Sequence, residues 1–256
     1  MKPQTHLILF LLLAFSRITV AQPQPLRVAV AANAQFVMEK ISAAFRQKTG
    51  ITIETIVSSS GKLTTQIQQG APFDVFLSAD MTYPQTLYQE GFTTAAPVVY
   101  GYGSLVLWTL TDLPLSADLN ILLNPVVRRI AIANPETAPY GEAAVSLLKI
   151  NKLADKIQSK LVYGESISQV NQYVLSGAAE VGFTAKSVVL DPGLQQRGHW
   201  IDLPQSGYTP IAQGVVILKR TAQGKAAGQF VAFLRSPAAL RIFRQFGYRL
   251  PTSRQT

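Results

Sequence analysis

The residues best suited to chemistry in this sequence are small polar groups in four short loops, each lying before a run with helical spacing. The loops are residues 31–33 (AAN), 58–61 (SSSG), 138–141 (APYG) and 165–167 (ESI). A helix N-terminus carries unpaired backbone N–H groups and partial positive charge, so such loops can hold an anion without Lys or Arg. The pattern predicts an anion site built from neutral hydrogen-bond donors.

A simpler interpretation is that Asn33, Ser60 and Ser166 only cap the helices that follow them, because Asn and Ser are favoured N-cap residues. Each residue taken alone fits that role. Four such loops in one chain favour a cleft instead, since the loops of open α/β sheets gather at the carboxyl ends of the strands, where ligands bind.

The elements that must position these loops alternate between strand and helix. Leu26–Ala31 has the composition of a strand, and residues 34–48 have apolar groups at helical spacing before Gly50, a typical helix C-cap. Further strands are predicted at 51–57, 74–78, 104–109, 127–133, 160–163, 180–184 and 215–219, and further helices near 63–70, 81–90, 141–150, 167–176, 224–235 and 237–246. This alternation predicts parallel, doubly wound sheets with helices on both faces.

The pattern of strands and helices restarts after a Gly- and Tyr-rich stretch near residue 101, which predicts two α/β lobes joined by a hinge that the chain crosses twice. The first lobe is predicted to comprise residues 22–101 and 215–256, and the second lobe residues 102–214.

The N-terminus has the pattern of a cleavable secretory signal at residues 1–21. Lys2 precedes an apolar run at residues 7–15, and small residues lead to a predicted cleavage after Ala21. The alternative, an anchor helix, would need a longer apolar run than the one that Arg17 interrupts. No later segment has the length of a membrane span, so we expect an exported, soluble protein, and the absence of a cysteine to lipidate favours the periplasm.

The composition excludes several classes of protein. The chain has 256 residues, 48% of them hydrophobic, and no cysteine, which excludes disulfide scaffolds, thiolate metal sites and cysteine nucleophiles. The net charge of +9 keeps a nucleic-acid-binding protein open as an alternative. However, residues 203–256 hold eight basic residues and no acidic one, and none of the four loops draws on them. We expect this basic segment either to contact a permease or anionic lipid or to be simply a solvated surface.

Ser60 and His199 are the residues on which a hydrolase would depend. Ser60 lacks the Gly-x-Ser-x-Gly setting of a nucleophile, and the sequence around it lacks the earlier glycine of a phosphate-binding loop. His199 is the only histidine after signal removal, and we expect it to be structural. A secreted serine hydrolase stays a distant alternative.

Two other groups of residues have simpler interpretations than a catalytic or metal site. Asp74, Asp80 and Glu165 could form a catalytic set of carboxylates, but Asp80 is expected to cap the following helix. Tyr100 and Tyr102 could bind ferric iron, but they lie on the predicted crossing strand and lack the adjacent Tyr-Tyr pair that such iron binders often have.

The segment GAPFDVFLSAD, residues 70–80, together with the loops at 31–33 and 58–61, resembles the periplasmic molybdate-binding proteins of ABC transporters, which are type II periplasmic binding proteins. Weaker similarity extends through residues 133–136, 138–141, 181–183 and 230–250, so that it covers essentially all of the chain after the predicted signal.

The resemblance implies a non-enzymatic protein that binds molybdate, or tungstate, between its lobes and delivers it to an inner-membrane ABC permease. The implied oxyanion-binding residues are Asn33 and Ser60 from the first lobe and Tyr140 and Ile167, through backbone amides, from the second, with Ala32 and Ser59 as additional backbone donors. A monomer without a cofactor is expected, with molybdenum present only as bound molybdate, no nucleic-acid partner and no membrane span after signal removal.

The sequence departs from the family pattern at two positions. Asn33 stands where many members have Ser, and Ala185 stands where many supply a Tyr hydroxyl that alanine cannot replace. A pocket of donors without a carboxylate acceptor disfavours protonated phosphate but not sulfate, which only cavity size can exclude. A binder of sulfate or another oxyanion is therefore the alternative.

Overall fold

The structure, a computed structural model, describes residues 24–251, so the predicted signal peptide lies outside the described residues. The strands are β1 Leu26–Ala31, β2 Ile53–Ser58, β3 Val75–Leu77, β4 Val98–Gly103, β5 Leu105–Thr109, β6 Ile130–Ala133, β7 Leu161–Gly164, β8 Val181–Ala185, β9 His199–Asp202 and β10 Ile211–Ile217. The α-helices are α1 Gln35–Thr49, α2 Ser60–Gln68, α3 Thr82–Gln89, α4 Pro139–Ile150, α5 Ala154–Ile157, α6 Ile167–Leu175, α7 Lys186–Val189, α8 Gly224–Leu234 and α9 Pro237–Gln245. Within the described range, no helix is both long and apolar enough to span a bilayer.

Two five-stranded sheets form the framework, one in each lobe. The first sheet has the strand order β2-β1-β3-β10-β4, and the second has the order β7-β6-β8-β5-β9. We call the parts of the chain built on them lobe 1 and lobe 2. The predicted class, two α/β lobes, is confirmed.

The sheets are mixed, which corrects the prediction of parallel sheets. In lobe 1, β1 pairs in parallel with β2 and β3, whereas β10 is antiparallel to both of its neighbours. In lobe 2, β6 pairs in parallel with β7 and β8, whereas β5 is antiparallel to β8 and β9. The antiparallel strands include those that carry the chain from one lobe to the other. A parallel pair needs a crossover connection, usually a helix, and a strand that leads directly from one sheet to the next has no such connection.

The chain crosses between the lobes twice. Only Ser104 separates β4 of the first sheet from β5 of the second, and residues 203–210 lead from β9 back to β10. The lobe limits expected from the sequence, at 101 and 214, fall inside β4 and β10 and stay a prediction.

Helices cover both faces of the lobe 1 sheet. Residues of α1, α8 and α9 form one apolar cluster with the strands, and residues of α2 and α3 form another on the opposite face. Helix α1 buries Val37, Met38, Ile41 and Phe45 at helical spacing and ends at Gly50, whose φ of 75° is the left-handed cap that the sequence predicts. This packing fixes the carboxyl ends of β1, β2 and β3, where the polar loops begin.

Candidate functional site

A small cavity lies between the lobes at the carboxyl ends of the central strands, and the predicted residues meet there. It holds about 200 Å³ of empty space, its mouth included, and its lining consists of Ala31, Ala32, Asn33, Ser59, Ser60, Ala79, Ala138, Pro139, Tyr140 and Ile167. All six residues predicted to bind the oxyanion are in this lining, although up to 135 positions separate them in the sequence (Ala32 to Ile167).

Three helices begin at the cavity wall. Helix α2 begins at Ser60, α4 at Pro139, immediately before Tyr140, and α6 at Ile167. The first amides of a helix have no acceptor within it, and their partial positive charge favours an anion. Since the lining contains neither a carboxylate nor a basic side chain, the cavity offers donors without a net charge.

Ser60 has a specific position that differs from that of a helix cap. The cap of α2 is Ser59, whose Oγ accepts a hydrogen bond from Lys62 N at 3.4 Å. Ser60 Oγ instead accepts a hydrogen bond from Ala79 N at 3.0 Å, and the residue is 1% exposed. An accepted bond leaves the hydroxyl hydrogen available for donation. The interpretation of Ser60 as an N-cap is therefore wrong.

Asn33 and Ser166 also make no capping bond. Asn33 lies in the 3-10 turn Ala32–Ala34 before α1, and its Nδ2 donates to Gln213 Oε1 at 2.9 Å. Ser166 is the residue before α6, but its side chain accepts no bond from the first turn. Asn33 instead forms a buried hydrogen bond with a residue that lies 180 positions later in the chain.

The lobes contact each other around the cavity. Gly61 N donates to Thr137 O at 2.9 Å, and Lys62 Nζ lies 2.6 Å from Glu165 Oε2. Further hydrogen bonds between the lobes are Ser168 Oγ to Gln35 Oε1 at 2.9 Å, Tyr83 OH to Glu136 O at 3.0 Å and Ser187 Oγ to Asn33 O at 2.6 Å. The lobes are thus closed over the cavity.

A larger cleft of about 760 Å³ lies beside this cavity and, unlike the cavity, has acidic side chains in its lining. Asp80 and Glu142 are in its lining. Burial raises the pKa of the Asp80 carboxyl, and Asp80 Oδ1 accepts a bond from Tyr83 N at 3.3 Å in the first turn of α3. The N-cap residue of α3 is Met81, and Asp80 accepts this first-turn bond from the position before it. The acidic lining makes this cleft unsuitable for an anion.

The other candidates from the sequence are not in the lining of the cavity. His199 is exposed, with its Nε2 2.6 Å from Leu113 O, and the Tyr100 hydroxyl donates to Gln213 Oε1. Ala185 is buried at the end of β8 and is not in the cavity lining. Within residues 24–251, no group of three or more His, Asp or Glu residues could hold a metal ion.

Two residues at the site were missed in the sequence. Ala79 is in the lining and anchors Ser60 through its N–H. It directly follows the strand predicted at residues 74–78, so the rule that locates loops at strand ends could have found it. Gln213 is fully buried beside Asn33, and a lone amide within the apolar run of β10 was the available signal.

The chain is similar to known proteins over almost all of its described length. The sequence pattern of bacterial extracellular solute-binding proteins matches residues 26–249. The chain is 40% identical to the molybdate-binding protein of Azotobacter vinelandii over 231 residues, which are 90% of this chain and 92% of the relative. It is also 40% identical to that of Rhodobacter capsulatus over 86% of each chain.

A solved structure agrees with the sequence comparison. The Azotobacter vinelandii periplasmic molybdate-binding protein superposes with a TM-score of 0.85 at 34% identity, covering 89% of this chain and 100% of that chain. The resemblance that the sequence motifs indicate is confirmed, as is the expectation of a binding protein rather than an enzyme. The chain belongs to the family of bacterial extracellular solute-binding proteins, with these two molybdate-binding proteins among its relatives.

Proposed function

We propose that the protein binds molybdate, or tungstate, in the cavity between its lobes and delivers it from the periplasm to an inner-membrane ABC permease. The observation that carries the proposal is the convergence of three helix N-termini and the Ser60 hydroxyl on one cavity with no charged side chain in its lining. The names of the relatives at 40% identity support molybdate as the ligand.

Six of the ten lining residues bind the ion in this proposal. Ser60 donates its hydroxyl hydrogen, and Tyr140 and Ile167 donate backbone N–H groups from the first turns of α4 and α6. Ala32 and Ser59 add backbone donors, and Asn33 donates through its side-chain amide. Each hydrogen bond to a charged acceptor contributes about 1.5–3 kcal/mol, so a full set offsets the cost of taking a dianion out of water.

Thermal unfolding with four oxyanions tests the proposal directly. Molybdate and tungstate at about a hundredfold excess over the dissociation constant are expected to stabilise the protein by about 2.7 kcal/mol. Phosphate is expected to give no shift, because its proton needs an acceptor and the lining has no carboxylate to supply one. A shift with sulfate equal to that with molybdate would favour the alternative ligand, and no shift with any of the four would contradict oxyanion binding.

The affinity for molybdate is expected to be independent of pH between about pH 7 and 9. Tyr140 is the only titratable side chain in the lining, and burial raises its pKa well above the usual value. A raised pKa keeps the phenol protonated as the pH increases, so no donor is lost in this range. Calorimetry at several pH values checks this, and a progressive loss of affinity above pH 8 would contradict a donor set without titrating groups.

A further inference from the structure

Five buried polar side chains adjoin the cavity where the chain crosses between the lobes. Gln213 comes from β10, Tyr100 from β4, Asn33 and Tyr140 from the cavity lining, and Tyr248 from the segment after α9. None is more than 5% exposed, and Gln213 is fully buried. We call this group the hinge cluster.

Gln213 is the centre of the hinge cluster. Its Oε1 accepts from Asn33 Nδ2 at 2.9 Å and from the Tyr100 hydroxyl at 2.6 Å, and its Nε2 donates to the Tyr140 hydroxyl at 3.1 Å. Asn33 Nδ2 also lies 3.4 Å from the Tyr248 hydroxyl. Both hydrogens of the Asn33 amide are thereby directed into the cluster and away from any ligand.

The other end of the Asn33 amide has no partner. Asn33 Oδ1 is buried and makes no hydrogen bond to any group in residues 24–251. An unpaired buried acceptor costs free energy, and an amide oxygen turned towards a bound oxyanion would repel it. Asn33 in this orientation is therefore suited neither to the empty cavity nor to one that holds an oxyanion.

Rotation of the amide in place removes both problems. The oxygen and nitrogen of a carboxamide are nearly the same size, so a half-turn about the last bond exchanges them without moving neighbouring atoms. Gln213 packs closely against Gly103, where a Cβ would overlap its amide and the Tyr140 hydroxyl. Since Gln213 is fully buried, a turn in place changes its hydrogen bonds with the least displacement of its neighbours.

A joint half-turn of both amides satisfies the hydrogen-bonding groups of the hinge cluster. Gln213 Nε2 then donates to Asn33 Oδ1 and to the Tyr100 oxygen, and Gln213 Oε1 accepts from the Tyr140 hydroxyl. The Tyr248 hydroxyl also donates to Asn33 Oδ1, and both hydrogens of Asn33 Nδ2 face the cavity. Either amide turning alone would leave two oxygens or two NH2 groups facing each other.

The phenols of the hinge cluster can supply the hydrogens that this arrangement needs. Burial raises the pKa of Tyr100, Tyr140 and Tyr248, so all three hydroxyls keep their protons. The Tyr100 hydroxyl has a second acceptor, Ser78 O at 3.4 Å, to which it can donate once Gln213 no longer accepts from it.

We propose that Gln213 is a positioning residue for oxyanion binding: its amide sets the direction of the Asn33 amide, and the two turn together so that Asn33 donates to the bound ion. The inference rests on the proposed function. It also links the crossing strand β10 to the ligand by hydrogen bonds that pass through Asn33.

A double-mutant cycle measured by molybdate calorimetry tests the coupling. Gln213→Met keeps the length of the side chain but removes the amide, and it is expected to weaken binding by at least about fivefold. Asn33→Ala is expected to weaken it by at least about tenfold. If Gln213 acts through Asn33, the double variant binds no more weakly than Asn33→Ala alone. If the losses of molybdate affinity in the two single variants multiply in the double variant, Gln213 is only structural and the proposal is overturned.

Gln223→Met is the matched control. Gln223 Nε2 donates to Pro25 O and Asp74 Oδ2 at the end of lobe 1 remote from the cavity, so its loss is expected to leave molybdate affinity unchanged. Ser60→Ala distinguishes a failure of the inference about Gln213 from a failure of the proposed function. No oxyanion binding by the wild type overturns the proposed function, whereas normal binding that depends on Ser60 but not on Gln213 overturns only the inference.

Nuclear magnetic resonance of the side-chain amides reports on the orientation of Gln213 and Asn33. If Gln213 were purely structural, these orientations would not change when molybdate binds. In the molybdate-saturated protein, nuclear Overhauser effects are expected from the Gln213 NεH2 protons to Asn33 and the Tyr100 ring. The contact from the Asn33 NδH2 protons to the Tyr248 ring is expected to weaken. Persistent Gln213 NεH2 contacts to the Tyr140 ring alone in the saturated protein would contradict the half-turn.

Discussion

Replacing Ser60 with alanine is expected to weaken molybdate binding by at least about tenfold, because it removes a hydroxyl donor to a charged acceptor worth about 1.5–3 kcal/mol. The same substitution leaves Ala79 N without the acceptor that it has at 3.0 Å. The amide would then need another partner in a region closed to water, and the loop after β3 would lose its link to α2. The lost donor acts on the bound state alone, and calorimetry of the purified variant measures its effect as a weaker affinity.

Ser236→Ala is the matched control for this result. Ser236 Oγ also accepts a backbone N–H, that of Ala239 at 3.3 Å, but it caps α9 rather than facing the cavity. Its loss is expected to lower the free energy of unfolding by about 1 kcal/mol and to leave affinity unchanged. Wild-type affinity in Ser60→Ala would remove this hydroxyl from the site.

Most of the fold could be predicted from the sequence, because apolar periodicity and helix stop signals report on local structure. Residues 34–48 and Gly50 predicted helix α1 and its cap to within one residue. Strand direction was not predictable in this way. The run that forms β5 has the same composition whether it is parallel or antiparallel to its neighbours, and only the order of the chain through both sheets decides it.

Strand β9 was missed, and β4 was predicted only as a crossing strand at Tyr100 and Tyr102, for a related reason. Val98–Gly103 contains two glycines and two tyrosines, a composition that indicates a turn, yet it pairs with β10 along its length. A glycine here lets a neighbouring side chain pack closely against the strand, because a Cβ on Gly101 would lie 3.0 Å from the Tyr248 ring. His199–Asp202 has only four residues, and its partner β5 lies about 90 positions earlier in the chain.

The cavity residues could be predicted where they follow the general rule that ligands bind at the carboxyl ends of strands, beside helix N-termini. Ser60, Tyr140 and Ile167 follow from the position of helix N-termini at strand ends. Gln213 could not be found in that way, because it lies 180 positions after Asn33 and its role depends on a contact that only the folded chain creates. Sequence patterns identify the donors around the ligand better than the groups that orient those donors.

Replacing Gly61 with alanine is expected to lower molybdate affinity by about tenfold or more, by keeping the lobes apart. Gly61 is the second residue of α2, and its N–H donates to Thr137 O in lobe 2 at 2.9 Å. A Cβ at this position would lie 2.8 Å from the Tyr83 hydroxyl and 3.0 Å from Thr137 Cα. The second contact is with backbone, so the lobes themselves must separate to admit the methyl group.

The same variant distinguishes a defect in closure from a defect in folding. Lobes that are apart leave room for the methyl group, and alanine favours a helix over glycine by about 1 kcal/mol, so the thermal stability of the ligand-free protein is expected to be unchanged or higher. Gly228→Ala, in α8 with open space around its Cβ, is the matched control and is expected to change stability alone. A Gly61→Ala protein with wild-type affinity would show that the bound state does not require this contact between the lobes. Reduced affinity together with reduced ligand-free stability would instead indicate damage within lobe 1. Only weaker binding with intact stability matches an ion held by two lobes that must meet.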